Sequence, residues 1–207
     1  MPAQPVTDPS AAPRLILASA SARRAGLLRE YGYQFEVIAP PLGEPTDLGR
    51  ATSPAQHAEA LSYFKAKSAA GQLTSRIVLS ADTVAAIGNA VIGKPADRED
   101  ARQILQRLSG TTHCVITGVT LLNVSTAARI VTHDSTDVSM KPLSDAEIDE
   151  YLDTGAWEGK AGAYGIQDHG DAFVTRLQGS FTNVVGLPME LVAGLLDGWN
   201  ITPSRTR

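Results

Sequence analysis

The stretch Leu15-Ile16-Leu17-Ala18-Ser19-Ala20-Ser21-Ala22-Arg23-Arg24 predicts a strand that runs directly into a helix. Its first four residues are apolar, as in a short buried strand. Ser21 is a typical N-cap, because its hydroxyl can accept a hydrogen bond from a backbone N–H group of the first helical turn. Arg23 and Arg24 then lie in that turn, where their positive charges oppose the helix dipole.

Two interpretations of this helix start are open. In the first, Ser21 caps an ordinary helix and the two arginine side chains are solvated. In the second, unpaired backbone N–H groups, the hydroxyls of Ser19 and Ser21 and the planar guanidinium groups bind phosphate oxygens. The second is favoured, because two cations at this end of a helix are unfavourable without a bound anion.

Composition and charge limit the classes of protein to be considered. The chain has 207 residues, 43% of them hydrophobic, and a formal net charge of −4. This length suits one core, and the negative charge argues against a protein that coats a nucleic acid polymer. Cys114 is the single cysteine, which suits a reducing compartment, so we predict a cytoplasmic location. No apolar run approaches the length of a membrane span.

Strand and helix patterns alternate along the chain and predict one α/β domain with a mixed β-sheet, opened into two lobes around a cleft. Strands are expected over Arg14–Ala18, Gln34–Ala39, Arg76–Ala81, Thr83–Ile87, Ala90–Ile92, Thr112–Asn123, Arg129–Met140, Tyr164–Gln167 and Ala172–Leu177. Helices are expected from Ser21 to Tyr31, Pro54 to Lys67, Asp97 to Gly110, Ser144 to Gly155 and Pro188 to Leu196. We expect the domain to span residues 14–200, between a disordered tail over 1–13 and a polar tail over 201–207.

Asp82 is the leading candidate for a catalytic acid or base. It is expected at the carboxyl end of the apolar strand Arg76–Ala81, and open α/β sheets place their ligands at such ends. A carboxylate there can hold a hard cation or accept a proton from water. The alternative is an ordinary aspartate that begins a turn.

Further cations and polar groups are predicted on separate segments. Lys65 lies late in a helix, Lys94 follows a hairpin, and Lys160 lies between glycines. Glu44, in a loop rich in proline and glycine, is a candidate second acid. Gln167 offers an amide donor and acceptor that suit the edge of a nucleobase. Each side chain could simply be solvated, but together with the two arginines they match what a triphosphate–metal complex needs.

Several familiar motifs are excluded. The run from Gly88 to Lys94 fits the first seven positions of a P-loop, but Pro95 follows where a serine or threonine is required. This proline also speaks against a P-loop kinase or phosphohydrolase. No G-x-G-x-x-G opens a helix and no G-x-S-x-G elbow appears, so dinucleotide binding and serine hydrolysis lack their motifs. The four histidines lack the spacing of zinc ligands.

Four ordered motifs resemble those of the Maf family of nucleoside triphosphate pyrophosphatases, between about Leu15 and Leu196. They are Ala18-Ser19-Ala20-Ser21-Ala22-Arg23-Arg24, Ala81-Asp82-Thr83-Val84 with Gly93-Lys94-Pro95, Lys160-Ala161-Gly162-Ala163-Tyr164-Gly165-Ile166-Gln167, and Asn183-Val184-Val185-Gly186-Leu187-Pro188. The resemblance implies a fold related to inosine triphosphate pyrophosphatases and a homodimer. It also implies cleavage of a nucleoside triphosphate to the monophosphate and pyrophosphate, dependent on Mg²⁺ or Mn²⁺.

The resemblance also implies roles for single residues. Asp82 would be the general base and, with Glu44, a metal ligand. The residues that would line the phosphate and metal site are Ser19, Arg23, Arg24, Glu44, Lys65 and Lys94. The set of Arg23, Thr83 and Gln167 is similar to that of the family branch that acts on dTTP and UTP. An amide and a hydroxyl would then read a pyrimidine, with Lys160 beside them.

The chain departs from the family pattern at three places. Ala22 stands where proline is usual, Ala156-Trp157-Glu158-Gly159 stands where many members have a loop with proline and aspartate, and Asp168 follows Gln167 where glycine is common. The last two departures border the expected base pocket and therefore bear on base preference. An alternative function is a nucleotide-binding regulator of cell division and septum formation, which would need the cations but no general base.

Overall fold

The computed structural model describes residues 14–43, 45, 53–167 and 172–204. Within these residues one mixed sheet carries helices on both faces, which confirms the predicted α/β class. The strands are β1 (Leu15–Leu17), β2 (Phe35–Val37), β3 (Ile77–Ile87), β4 (Ala90–Ile92), β5 (Thr112–Asn123), β6 (Arg129–Met140) and β7 (Val174–Gln178). The helices are α1 (Ala22–Glu30), α2 (Pro54–Ala70), α3 (Arg98–Leu108), α4 (Asp145–Asp153), α5 (Phe181–Val185) and α6 (Met189–Asp197), with a 3₁₀ turn over Ala161–Ala163.

The strand order is β2-β1-β3-β5-β6-β7, and β4 pairs with the end of β3. Strand β1 is parallel to both of its neighbours, whereas the other pairs are antiparallel. The long strands β3, β5 and β6 therefore form the centre of the sheet, and the short parallel strands lie at one side of it. In the part of the chain that the structure describes, no helix is both long and apolar enough to cross a bilayer.

The helix starts follow the sequence patterns. The hydroxyl of Ser21 accepts a hydrogen bond from the backbone N–H of Arg24 at 3.4 Å, so Ser21 caps α1 as predicted. Ser144 and Glu147 form the capping box of α4, in which each side chain accepts from the other residue's backbone N–H group. These local hydrogen bonds satisfy N–H groups that a helix start leaves unpaired.

Strand β3 differs from its prediction, because it runs without a break through Asp82. The expected strands Arg76–Ala81 and Thr83–Ile87 are one element, so Asp82 is not at the end of a strand. Its backbone pairs with Gly118 of β5 inside a continuous antiparallel ladder. Aspartate is disfavoured in strands, but pairing with a long neighbour overrides that local preference.

The segment around Tyr164 also differs from its prediction. The expected strand over Tyr164–Gln167 is absent, and the chain there is a loop that follows the 3₁₀ turn. Gly162 and Ala163 have φ of 75° and 58°, which turns the chain out of an extended path. The strand expected over Ala172–Leu177 is β7, displaced along the chain by its pairing with β6.

Helix α5 was not predicted from the sequence. Its five residues follow Ser180, whose hydroxyl accepts from the Asn183 N–H at 3.1 Å, and Gly186 ends it with φ of 120°. A helix of this length is too short to show an apolar period. The sequence features that could have predicted this helix are Ser180 as its N-cap and Gly186 as its end.

Two apolar clusters lie on the same face of the sheet, with a cleft between them. One contains Leu79 and Ala81 of β3 beneath α1 and α6. The other contains Ala85 of β3 beneath α3 and α4. Alternate residues of a strand share a face, so Thr83 lies between the two clusters. This arrangement gives the two lobes around a cleft that the sequence predicted.

Helix α2 covers the opposite face of the sheet at short range. Several of its buried residues are small, namely Ala58, Ser62, Ala66 and Ala69. Ser62 contacts the hydroxyl of Thr120 at 2.8 Å, and its carbonyl accepts from the Ser80 hydroxyl at 2.6 Å. At Gly118 the approach is closest, because a Cβ there would lie 2.3 Å from the carbonyl carbon of Ala58 and 2.6 Å from the backbone nitrogen of Glu59. Glycine at this position therefore sets the distance between α2 and the sheet.

We expect Gly118→Ala to lower the free energy of unfolding by about 3 kcal/mol, because the added methyl meets helix backbone that cannot rotate away. Urea unfolding measures the change. Gly194→Ala in α6 is the matched control, since nothing lies within 4 Å of a Cβ at that position. The control should be neutral or stabilising by up to about 1 kcal/mol. Equal stabilities of the two variants would contradict the close packing of α2.

Candidate active site

The candidate site lies at an unpaired edge of β3. On this edge β1 pairs with β3 as far as Leu79, and β4 pairs with it from Ala85 onward. Between these residues no described strand covers the edge. Asp82 and Thr83 lie in this gap and point to opposite faces of the sheet. A cavity of about 110 Å³ opens there, and both residues line it.

The cavity joins a wider depression of about 440 Å³ through shared lining residues that include Arg23, Arg24 and Lys94. The predicted site residues that line one or both are Ser19, Arg23, Arg24, Lys65, Asp82, Thr83, Lys94, Lys160 and Gln167. They come from separate segments of the chain, as the sequence analysis required. Glu44 lies outside the residues that the structure describes.

A buried ion pair joins α2 to β3. The ammonium of Lys65 donates to Oδ1 of Asp82, and the two residues are only 9% and 5% exposed. The approach of α2 at Gly118, the partner of Asp82 in the ladder, brings this lysine within reach. Although Asp82 is not at the end of its own strand, it lies just past Leu79, where the parallel strand β1 ends. The expected position at the end of its own strand is therefore wrong, although Asp82 still lies beside the carboxyl end of β1.

Arg24 connects three segments on the other face. Its Nε donates to the carbonyl of Gly186 at 2.7 Å, and its Nη2 donates to Oγ1 of Thr83 at 3.0 Å. Its Nη1 lies 3.5 Å from the hydroxyl of Ser19. Arg23 is exposed and lines both parts of the cleft. The two arginines therefore differ, since Arg24 has a fixed guanidinium and Arg23 faces open space.

A backbone hydrogen bond brings together the two segments that carry Lys94 and Lys160. The N–H of Gly162 donates to the carbonyl of Gly93 at 3.0 Å, which places the segment of Lys94 beside that of Lys160. The ammonium of Lys160 donates to the carbonyl of Ala156. Its positive charge is therefore held at the rim of the cavity by its own loop.

Strand β5 forms a polar floor that the sequence analysis did not find. His113 contacts the hydroxyl of Tyr164 at 2.8 Å through Nε2, and both residues are buried. Thr117 contacts the hydroxyl of Thr83 at 2.9 Å and donates to the carbonyl of Asn183 at 3.0 Å. The available signal was a histidine and a threonine four residues apart, and therefore on the same face of a largely apolar strand.

A divalent cation that arrives with a triphosphate fits the charged groups of this cleft. In the described ranges, no three acid, histidine or cysteine side chains are grouped as a metal site. Asp82 is the only described carboxylate that lines the cleft. Mg²⁺ is often bound through one or two carboxylates together with substrate phosphates, without a cage made wholly of protein. The donor set therefore suits a metal shared with the substrate.

Burial keeps the His113–Tyr164 pair neutral. It lowers the pKa of His113 from 6.5 to about 4, against a smaller opposing effect of Asp137. It also raises the pKa of Tyr164 well above its ordinary value of 10.0, with a smaller contribution from Tyr151. The contact between the two rings is edge-to-face, with centroids 5.5 Å apart. The pair is therefore an uncharged support beneath the segment that carries Gln167.

Comparisons with known proteins agree with the motifs in this cleft. A family model described as "Maf-like protein" matches residues 14–199. Three relatives carry the name "dTTP/UTP pyrophosphatase". The one from Pelotomaculum thermopropionicum is 41% identical over 189 residues, covering 90% of this chain and 98% of the relative. The one from Symbiobacterium thermophilum is 43% identical over 183 residues, covering 88% and 92%. The one from Caulobacter vibrioides is 41% identical over 196 residues, covering 94% and 100%.

The neutral imidazole of His113 predicts a loss of stability in acid. Because its pKa is lower in the folded protein than in the unfolded chain, protonation favours unfolding. Its contribution is complete above pH 6.5 and is lost progressively toward pH 4. We expect this residue to account for a fall of about 2 kcal/mol in the free energy of unfolding between about pH 7.5 and pH 5.

Urea unfolding at the two pH values measures this effect, and the variant His113→Gln should remove it. His133→Gln is the matched control, because His133 is an exposed histidine beside Glu59 at 2.7 Å. The control should keep the acid loss seen in the unmodified protein. An undiminished loss in His113→Gln would contradict the assignment.

Proposed function

The chain belongs to the Maf family, and we propose that it hydrolyses nucleoside triphosphates, above all dTTP and UTP, to the monophosphate and pyrophosphate. The observation that carries this proposal is the convergence of Arg23, Lys94 and Asp82 around one cavity. We assign the activity to one domain that spans residues 14–200. The names of three relatives that cover most of this chain support the same reaction.

The cations of the cleft bind the polyphosphate. Arg23, Arg24, Lys94 and Lys160 line the same cavity and come from both sides of it. A triphosphate spreads additional charge over its oxygens as the bond to the leaving pyrophosphate breaks, and fixed cations stabilise that charge. Arg24 is held in place by Gly186 and Thr83 before any substrate binds, so little reorganisation is needed.

Asp82 accepts the proton of the water that attacks the α-phosphorus. Its carboxylate is buried, lines the cavity and is oriented by Lys65. A general base must be held within reach of the water, and the ion pair with a helix residue does this. Mg²⁺ or Mn²⁺, with Asp82 and Glu44 as its protein ligands, would neutralise phosphate charge and increase the acidity of water.

The base is recognised within the same cavity. Arg23, Thr83 and Gln167 all line it, and Gln167 is exposed toward the opening. An amide that pairs with the edge of a pyrimidine discriminates strongly, because a wrong base leaves buried hydrogen-bonding groups unpaired. This supports a preference for dTTP and UTP over purine nucleotides.

A regulator that binds nucleotides without turnover is the less favoured function. Such a protein needs the cations but has no use for a buried carboxylate that lines the same cavity. The relatives are also named as pyrophosphatases. Measurable pyrophosphate release therefore separates the two functions.

The assembly and location of the enzyme belong to the same proposal. We infer a homodimer from the family resemblance, and size-exclusion chromatography with light scattering tests it. A cytoplasmic location agrees with a nucleotide substrate and with Cys114, a cysteine without a disulfide partner.

A panel of nucleoside triphosphates, assayed for pyrophosphate with and without Mg²⁺ or Mn²⁺, tests the proposed function. We expect dTTP and UTP to be preferred over ATP and GTP by at least about tenfold in kcat/KM. Hydrolysis in ¹⁸O-labelled water should place the label in the monophosphate, because water attacks the α-phosphorus. Release of orthophosphate, or label in pyrophosphate, would contradict the reaction.

Asp82→Asn should lower kcat about a thousandfold, because a general base contributes on that order. The fold should survive, since the asparagine oxygen can still accept from Lys65. Asp153→Asn is the control, because Asp153 is an exposed acid that pairs with Arg98 at 2.6 Å and does not line the cleft, and it should stay within twofold of the unmodified enzyme. Near-normal turnover of Asp82→Asn would overturn the assignment.

A further inference from the structure

A chain of hydrogen bonds leads from the cleft into the interior. Nη2 of Arg24 donates to Oγ1 of Thr83 at 3.0 Å. Oγ1 of Thr83 lies 2.9 Å from Oγ1 of Thr117. Oγ1 of Thr117 in turn donates to the carbonyl of Asn183 at 3.0 Å. Thr117 is fully buried, so water does not compete for these contacts.

The two ends of the chain fix the direction of every hydroxyl hydrogen. A guanidinium can only donate, a carbonyl oxygen can only accept, and each threonine hydroxyl has one hydrogen. Thr117 uses its hydrogen on the Asn183 carbonyl, so it must accept from Thr83. Thr83 therefore donates to Thr117 and accepts from Arg24. Its hydrogen points into the sheet, away from the cleft.

This direction changes the role expected of Thr83. A hydroxyl that read a pyrimidine by donating to it would need its hydrogen in the cleft. In this chain of contacts Thr83 instead presents an acceptor to Arg24, and so holds one arm of the guanidinium. Thr83 then influences substrate choice indirectly, because it fixes the position of Arg24.

The acceptor at the buried end is itself held firmly. The side-chain amide of Asn183 donates to the carbonyl of Val115 and to the hydroxyl of Thr136, both at 2.9 Å. Asn183 belongs to α5, and Gly186 at the end of the same helix accepts from Nε of Arg24 at 2.7 Å. Helix α5 therefore fixes the guanidinium twice, directly through Gly186 and indirectly through the two threonines.

We propose that Thr117 is a positioning residue that orients Arg24 for the substrate phosphates by fixing the hydroxyl of Thr83. The proposal rests on the proposed function, because it takes Arg24 to bind the triphosphate. Thr117 does not line the cavity and acts through its neighbours. It is therefore a determinant of activity that lies beneath the site.

The test is a double-mutant cycle between Thr117 and Arg24, with dTTP as substrate. Thr117→Val keeps the shape of the side chain and removes the hydroxyl, and we expect kcat/KM to fall about tenfold. Thr117→Ser retains the hydroxyl and should stay within about twofold of the unmodified enzyme. In an Arg24→Lys background, which lacks the planar fork, Thr117→Val should change kcat/KM by less than about twofold. Equal effects in both backgrounds, or a serine variant as impaired as the valine variant, would overturn the proposal.

A second measurement does not depend on catalysis. The Nε–H signal of Arg24 in a ¹⁵N NMR spectrum should be sharp in the unmodified protein and in Thr117→Ser, and should shift or broaden in Thr117→Val. The Nε–H signal of Arg98, which pairs with Asp149 and Asp153 and does not line the cleft, is the internal control. An unchanged Arg24 signal in Thr117→Val would overturn the proposal even if no nucleotide is hydrolysed, whereas absent hydrolysis alone would count against the proposed function. If Thr117→Val does not fold, Thr117→Ala compared with Thr117→Ser carries the same two measurements.

Discussion

The antiparallel pairing of β3 with β5 is the constraint on which the cleft depends. The ladder runs unbroken from Ile77 to Ala86 on β3. It sets Asp82 opposite Gly118 and Thr83 opposite Thr117, and so decides which polar group meets which helix. A shift of one residue would exchange the two faces of β3. The carboxylate would then face the apolar clusters, and the hydroxyl would face α2.

The same ladder separates the charged groups of the cleft into two sets. On the α2 face, a buried ammonium and a buried carboxylate neutralise each other. On the opposite face, the Arg24 guanidinium donates to the neutral acceptors Gly186, Thr83 and Ser19. The Asp82 carboxylate and the Arg24 guanidinium therefore lie on opposite faces of the strand, and both residues line the cavity at its unpaired edge.

Local patterns in the sequence predicted most of the elements, and long-range contacts account for the differences. Serine and aspartate caps, such as Ser21 and Ser144, act within one helical turn and are visible in a single sequence. The continuation of β3 through Asp82 depends on a partner strand some distance along the chain, which no local pattern shows. The polar floor on β5 depends on Tyr164 and Asn183, more than forty residues away, so its role emerges only when the chain is folded. The convergence of Arg23, Lys94 and Asp82 was predictable through the family motifs, but the contacts that hold Asp82 to Lys65 and Arg24 to Thr83 were not.

The glycine that ends α5 limits how this cleft can be redesigned. Gly186 has φ of 120°, and a Cβ on it would lie 3.3 Å from the hydroxyl of Thr83 and 3.6 Å from Nε of Arg24. Every L-residue there would meet both an unfavourable backbone conformation and occupied space. Efforts to engineer a new nucleotide preference should therefore leave this position alone and vary the exposed side chains of Arg23 and Gln167, where the opening has room for different shapes.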